Sequence, residues 1–174
     1  NNVRANMIWI DSEKIEGNGD EGMKQMENLN KAKGVVGMGG FGKRGVEGKI
    51  AVAKYARENN IPYLGLCLGM QIAAIEFARN VLSLADANST EFDEQTKNPV
   101  IYLMEKQKEI YKKGGTMRLG EYACALDKKS RSFEAYGKEN IKERHRHRYE
   151  FNNTYKERFA EKGMKVGGTN PESG

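Results

Sequence analysis

The chain has 174 residues, a net charge of +5, 38% hydrophobic and 30% charged residues, which suits one soluble globular domain with a single core and excludes a disordered chain. No apolar run approaches the ~20 residues that span a bilayer, the start Asn1-Asn2-Val3-Arg4 lacks the apolar stretch of a signal peptide, and the two cysteines are too few for a disulfide scaffold. A cytoplasmic protein with no membrane contact is expected, its positive balance spread over a solvated surface where Lys and Glu intersperse.

Met7-Ile8-Trp9-Ile10 reads as a buried strand and Ser12 to Asp20, with its glycines, asparagine and charges, as a loop. Glu21 to Ala32 reads as a helix with Met23, Met26 and Leu29 on one face. Val35-Val36 is a short strand that runs into Gly37-Met38-Gly39-Gly40-Phe41-Gly42. So many glycines rule out regular structure and imply a tight loop presenting backbone N–H groups. Gly45 to Asn59 is an amphipathic helix, Ile61 to Leu66 a strand with Pro62 near its start, and Met70 to Leu84 a helix with Ile72, Ile75, Phe77 and Val81 apolar. Strands and helices alternating in this way imply a parallel sheet with helices on its faces.

The second half is less regular. Ala85 to Asn98 reads as a polar loop and Pro99 to Met104 as a strand. Thr116 to Leu119, Tyr122 to Leu126 and Tyr149 to Phe151 read as short strands of an antiparallel segment, and Asn153 to Lys162 as a helix.

Gly65-Leu66-Cys67-Leu68-Gly69 has the form of a nucleophile elbow with cysteine as the nucleophile. A strand delivers the residue into a crowded turn, where flanking positions favour residues without a Cβ, and a helix leaves it. A thiol at a helix N-terminus is favoured as the thiolate, the attacking species in acyl transfer. Cys124 has no such context and reads as a strand or core residue. Acyl transfer also needs oxyanion donors; the backbone of Gly39-Gly40-Phe41 and the N–H of Leu68 are placed to supply them.

These segments resemble a known family. Pro62-Tyr63-Leu64-Gly65-Leu66-Cys67-Leu68-Gly69-Met70-Gln71 is similar to the nucleophile segment of the class I glutamine amidotransferase domain found in the CTP synthase family, and Gly39-Gly40-Phe41-Gly42-Lys43-Arg44-Gly45-Val46-Glu47-Gly48 to its oxyanion loop. Asp86-Ala87-Asn88-Ser89-Thr90-Glu91-Phe92, Gly114-Gly115-Thr116-Met117-Arg118-Leu119-Gly120 and Glu143-Arg144-His145-Arg146-His147-Arg148-Tyr149-Glu150 follow in the family's order. The elbow alone indicates only a class I amidotransferase; the last three segments narrow it. The resemblance runs from about Ile8 to the end.

The resemblance implies a flavodoxin-like α/β fold, with a central, mostly parallel sheet, helices on both faces and a small antiparallel segment. Residues 1–174 would form a partial domain, with Cys67 at the C-terminal edge of a central strand. It implies hydrolysis of glutamine through a thioester, the ammonia passing to a separate synthase domain that aminates UTP to CTP with ATP and Mg. Gly40, Leu68, Gln71, Glu91 and Arg148 would contact glutamine, Glu91 facing the α-ammonium and Arg148 lying near the α-carboxylate end. No cofactor or metal is expected in this domain. GTP would activate it near Phe41, Arg44 and the Gly114–Gly120 segment, and the whole family protein would be a homotetramer.

Two departures stand out. Met38 holds a place that is usually Pro in the family. The family's general base is a His in a His-Pro-Glu segment, expected beyond Asn170-Pro171-Glu172-Ser173-Gly174, so residues 1–174 alone are expected to hydrolyse glutamine poorly or not at all. His145 and His147 lie between arginines, which disfavour their protonation, and a structural or ligand-adjacent role is expected of them. A binding module without turnover, or another class I amidotransferase, is the alternative. The Arg144–Arg148 cluster could neutralise phosphates, but no nucleic-acid module accompanies it and no nucleic-acid partner is expected.

Overall fold

One helix is apolar on almost every side, and the fold is built around it. In the computed structural model, which describes residues 4–103 and 118–172, α4 (Leu68–Asn80) buries Leu68, Ile72, Ala74, Ile75, Phe77 and Ala78. It packs on α3 (Val46–Glu58) and on β2 (Tyr63–Gly65). Val46, Ile50 and Ala53 from α3, Val100 and Ile101 from β4 (Pro99–Tyr102) and Phe159 from α6 (Lys156–Glu161) complete this core. The helix also buries Glu76, whose carboxylate takes both Nε (3.0 Å) and Nη2 (2.9 Å) of Arg57 from α3, so the charge is paired as a buried charge must be.

A smaller core lies beside it. Ile15 of α1 (Ser12–Glu16), Leu29 of α2 (Asp20–Leu29) and Val52 of α3 close on one another, with Met26 and Val35 packed against them. Met26 and Leu29 face inward as the helical spacing predicts, whereas Met23 is exposed.

β1 (Val35–Gly37) pairs with β2 in parallel, Val35↔Tyr63 through Gly37↔Gly65. Val35 and Tyr63 face α3, α4 and the small core, while Val36 and Leu64 on the opposite face are exposed. β3 (Asn88–Ser89) is parallel to β4, and β4 is antiparallel to β7 (Glu150–Phe151). β5 (Arg118–Leu126) pairs antiparallel with β6 (Asn140–His147) and with β8 (Gly168–Thr169). The expected mixture of parallel strands, helices and a small antiparallel segment is therefore present, its hydrogen bonds divided among three sheets in the described residues. α5 (Arg131–Tyr136) links β5 to β6, and a 3₁₀ turn (Asn153–Tyr155) leads into α6. Among the described residues no helix is long and apolar enough to cross a membrane.

Two expectations are corrected. Met7–Ile10 is not a strand: the segment pairs with none, and Met7 and Trp9 are 76% and 79% exposed. Its end is drawn instead toward the helices, because the Asp11 N–H donates to Gln25 Oε1 (3.0 Å) and the Asp11 carboxylate accepts from the Glu13 N–H (3.0 Å). That cap is what starts α1 where a loop was expected. In the second half, the two strand segments after Thr116 are one continuous strand, β5, and the polar loop from Ala85 to Asn98 contains the short β3. Met104, Thr116 and Met117, at the ends of expected strands, lie outside the described residues.

Close backbone approach between α1 and α3 requires Gly48, since a Cβ there would run into the Ser12 carbonyl. Gly48→Ala is expected to destabilise the domain by about 1–3 kcal/mol. The measurement is the denaturant midpoint at constant m-value, and an unchanged midpoint would show that α1 does not pack as described.

Candidate active site

Immediately beyond β2, the chain bends at Cys67, which has φ 53° and ψ −108°, a conformation L-residues rarely adopt. The bend is held from both sides. The Leu66 N–H donates to the Gly37 carbonyl (2.8 Å), and the Met70 and Gln71 N–H groups donate to the Cys67 carbonyl (3.1 and 3.3 Å). The Tyr63 hydroxyl donates to the Gly69 carbonyl (3.1 Å); burial pushes this phenol up to about 12, so it stays a donor at neutral pH. Glycine is required at both flanks. A Cβ on Gly65 would strike the first turn of α4, and a Cβ on Gly69 the Gly37 carbonyl.

The sulfur stands exposed at the N-cap of α4, 3.8 Å from the Arg146 carbonyl at the end of β6. Beside it runs the glycine loop that leaves β1. A Cβ on Gly39 would lie 3.5 Å from the Cys67 Cβ, and one on Gly40 would lie 3.3 Å from Leu68 Cδ2. The loop thus lies against the nucleophile, and its far end is tied down by the Gly42 N–H, which donates to Glu91 Oε1 (2.9 Å).

Gly40, Cys67, Leu68 and Gln71 are gathered at the end of the β1–β2 ladder. Leu68 and Gln71 are buried, and Gln71 Nε2 donates to the Tyr149 carbonyl (2.9 Å). Arg148 lies half-buried between β6 and β7, next to that carbonyl. Phe41 is 89% exposed, and Arg44, also exposed, is paired with Glu13 at 2.7 Å. Of the Gly114–Gly120 segment, Gly114 to Met117 lie outside the described residues, and Gly120 lies in β5.

Sequence reasoning did not find the Tyr149 and Arg146 carbonyls or the ion pair of Arg118 with Glu150 (Nη1 to Oε2 3.0 Å), which backs the same turn. A backbone carbonyl leaves no mark on residue identity, and a partner tens of residues away leaves none on local spacing. His145 and His147 face each other, Nδ1 to Nε2 at 2.7 Å. Burial is the main cause that holds both imidazoles below their ordinary range, and Arg118 adds to it. Cys124 lies half-buried on β5, and burial, then the Glu143 charge, push its thiol up. Among the described residues no group of three His, Cys, Asp or Glu side chains can hold a metal ion.

Known proteins share this arrangement. The family described as Glutamine amidotransferase class-I matches residues 1–174. The chain is 63% identical to the CTP synthase of Bacteroides fragilis over 147 residues, which are 84% of this chain and 28% of that protein. It is 53% identical to the CTP synthase of Cytophaga hutchinsonii over 173 residues, 99% of this chain and 31% of the relative. It therefore spans less than a third of the length of these relatives. Among solved structures, the glutaminase domain of Trypanosoma brucei CTPS with bound acivicin superposes with a TM-score of 0.87 at 39% identity, covering 95% of this chain and 62% of that one.

The two thiols are expected to differ sharply in reactivity, because one is exposed at a helix start and the other is half-buried beside a carboxylate. Iodoacetamide at neutral pH should modify Cys67 at least about tenfold faster than Cys124. Peptide mass spectrometry over a time course reads the two rates, and equal rates would remove Cys67 from the role of nucleophile.

Proposed function

This chain belongs to the class-I glutamine amidotransferase family, and we propose that it is the glutaminase domain of a CTP synthase, releasing ammonia from glutamine at Cys67. The observation that carries this is the strained bend at Cys67 with Gly39 of the glycine loop beside its Cβ and Gly40 beside Leu68. A nucleophile held off the backbone minimum next to a glycine loop has backbone groups close by that can serve acyl transfer.

The Cys67 thiolate attacks the carboxamide carbon of glutamine, and the charge formed on the amide oxygen is met by N–H donors of the Gly39–Phe41 loop and of Leu68. The proton taken from the Cys67 thiol is delivered to the departing nitrogen, which leaves as ammonia, and a thioester remains. Water then releases glutamate and returns the thiol. Gly40, Gln71, Glu91 and Arg148 fit the remaining contacts by type: Glu91 suits the α-ammonium, and Arg148 the α-carboxylate. Glu91 keeps one oxygen on Gly42, so binding at its other oxygen would leave the loop tie intact.

Taking the thiol proton, delivering it to the leaving nitrogen and later activating water need a positioned acid–base group, worth about 10²–10⁴ in rate. His145 and His147 are engaged with each other, and the role is assigned to neither. Within the whole enzyme the ammonia would aminate UTP in a synthase region that binds ATP and Mg, in the cytoplasm, as a homotetramer. GTP fits the solvent-facing side of the loop as an activator: Phe41 offers a ring for stacking, and Lys43 and Arg44 offer charge at a groove of about 480 Å³ that they line with Glu13 and Glu16.

The test is covalent capture. Acivicin, bound in the related trypanosomal domain, is expected to add once, at Cys67, with excess glutamine slowing the reaction. In the enzyme that carries this domain, Cys67→Ser is expected to lower glutamate release by more than about a thousandfold. Addition elsewhere, or no protection by glutamine, would refute the assignment.

A further inference from the structure

The turn that reaches over Cys67 is backed by a ring of side chains that the glutaminase chemistry does not use. Arg118 on β5 is held to Glu150 on β7 through Nη1, at 3.2 Å to Oε1 and 3.0 Å to Oε2. Its guanidinium lies over the Tyr122 ring, 4.3 Å from the centroid. Tyr122 meets His145 edge to face at 5.2 Å, His145 meets His147 at 2.7 Å, and His147 Nδ1, buried with no hydrogen-bond partner among the described residues, stands 3.9 Å from Glu150 Oε1. The series returns to the residue where it began through proximity rather than a hydrogen bond. Arg118 and Glu150 are only 15% and 16% exposed in their side chains, and His147 is 20% exposed, so these contacts are screened far less than surface ones.

What the ring encloses is the chain from Arg146 to Glu150. That stretch supplies the carbonyl facing the Cys67 sulfur, the carbonyl that accepts from Gln71, and Arg148 between them. None of the ring's side chains is needed to bury apolar surface. A hydrophobic pair would fill the same place without requiring any protonation state.

We propose that His145, His147, Arg118 and Glu150 are positioning residues that set the affinity for glutamine by holding the Arg146–Glu150 turn against Cys67 and Gln71, and that they do so only while both imidazoles are neutral. The proposal rests on the glutaminase reading. The 2.7 Å contact requires one ring nitrogen to donate and the other to accept, and a second proton on the pair would set two N–H groups against each other. Every charged group facing the pair bears on this. Arg118 from β5 opposes protonation, while Glu150 from β7 and Glu143 from β6 favour it; Tyr122 and Gln71 are neutral, and Arg144 and Arg146 lie on the other face of β6. Burial outweighs the carboxylates, and both imidazoles take a proton less readily than free ones. By linkage, the arrangement is fully stable above the ordinary imidazole range and loses stability as pH falls through it toward the lowered values.

The experiment uses the full chain and the glutamine concentration that halves iodoacetamide modification of Cys67, measured from about pH 8 to pH 5.5. Glutamine's own groups do not titrate there, the ratio to the rate without glutamine removes the pH dependence of the alkylation itself, and His147→Gln carries any dependence that binding has on Cys67. In the wild type, protection is expected to weaken as pH falls from about 7.5 to about 5.5, by more than about twofold and by no more than about tenfold per pH unit for one proton. His147→Gln, a neutral side chain that can still donate and accept, should bind within about threefold of wild type at pH 7.5 and show a flat profile. Arg118→Lys should weaken protection at pH 7.5 but keep the pH dependence, because it loses the planar guanidinium that lies over Tyr122 while contacting Glu150 and leaves the imidazoles in place. A wild-type profile flat to within about twofold, or a His147→Gln profile that still falls with acid, would overturn the proposal. If His147→Gln does not fold by near-ultraviolet circular dichroism, the wild-type profile and Arg118→Lys decide it, and an Arg118→Lys chain that binds like wild type overturns it. Absence of protection at every pH would instead strike the glutaminase reading, and this proposal with it.

Discussion

A backbone-on-backbone contact sets the rest of the site. The first turn of α4 lies so close to the β1–β2 ladder that neither Gly65 nor Gly69 has room for a Cβ, and the chain reaches that turn only by taking Cys67 through a positive φ. Such a residue costs on the order of 1–3 kcal/mol. The helix it feeds buries Ile72 and Ile75 completely, and each such side chain contributes about 1.5–3 kcal/mol. The strain is therefore well within what the helix offsets, and the bend persists because relieving it would lift α4 off the core. The strand, the bend and the helix are one mechanical unit, and the position of the sulfur follows from the packing of residues that never touch a ligand.

The antiparallel half of the molecule is attached to that unit through few groups. Gln71 is buried on α4, and its amide reaches across 78 positions of sequence to the Tyr149 carbonyl. Losing it would remove a part-buried hydrogen bond, a net contribution of about 0.5–1.5 kcal/mol. The Arg118–Glu150 pair holds the same turn from behind. Glu91 plays the matching part on the other side of the sulfur, fixing the glycine loop at Gly42. The nucleophile is thus approached by two segments, each tied by a polar side chain from elsewhere, and in the Arg146–Glu150 turn Tyr149 adds an apolar contact with the core.

Much of the first half was legible in the sequence because its signals are local. Apolar spacing marks α3 and α4, glycine clustering marks the loop, and the glycines around Cys67 mark the bend. The signal failed where burial does not follow hydropathy. Met7–Ile10 is apolar yet exposed, since an apolar run becomes a strand only beside a free edge, and the Asp11 cap draws this one to α1 instead. β6 was not anticipated because Ile141 is its only apolar residue facing the β5 side, and the positions that continue the alternation are Glu143, His145 and His147. α5 is only six residues long and rests on one Ser130 cap. Within the site, the nucleophile and its donors could be read locally, but the Gln71–Tyr149 and Glu91–Gly42 contacts join distant segments and could not.

The same alternation changes what the Arg144–Arg148 run means. As a string it is five basic residues in succession, and by composition alone it could serve a polyanion. On a strand, successive side chains take opposite faces. Arg144 and Arg146 stand on the exposed face of β6, across from Glu121 and Leu119, and Glu121 is already bonded to Lys142 on the same face. His145 and His147 turn inward against Tyr122 and Arg118, where burial makes them take a proton less readily than free imidazoles. Arg148 lies past the end of the strand, on the turn beside Tyr149. What reads as one patch of charge is therefore divided among solvent, a neutral interior pair and the mouth of the active site, and the period of the strand rather than the density of the charge decides what each residue can do.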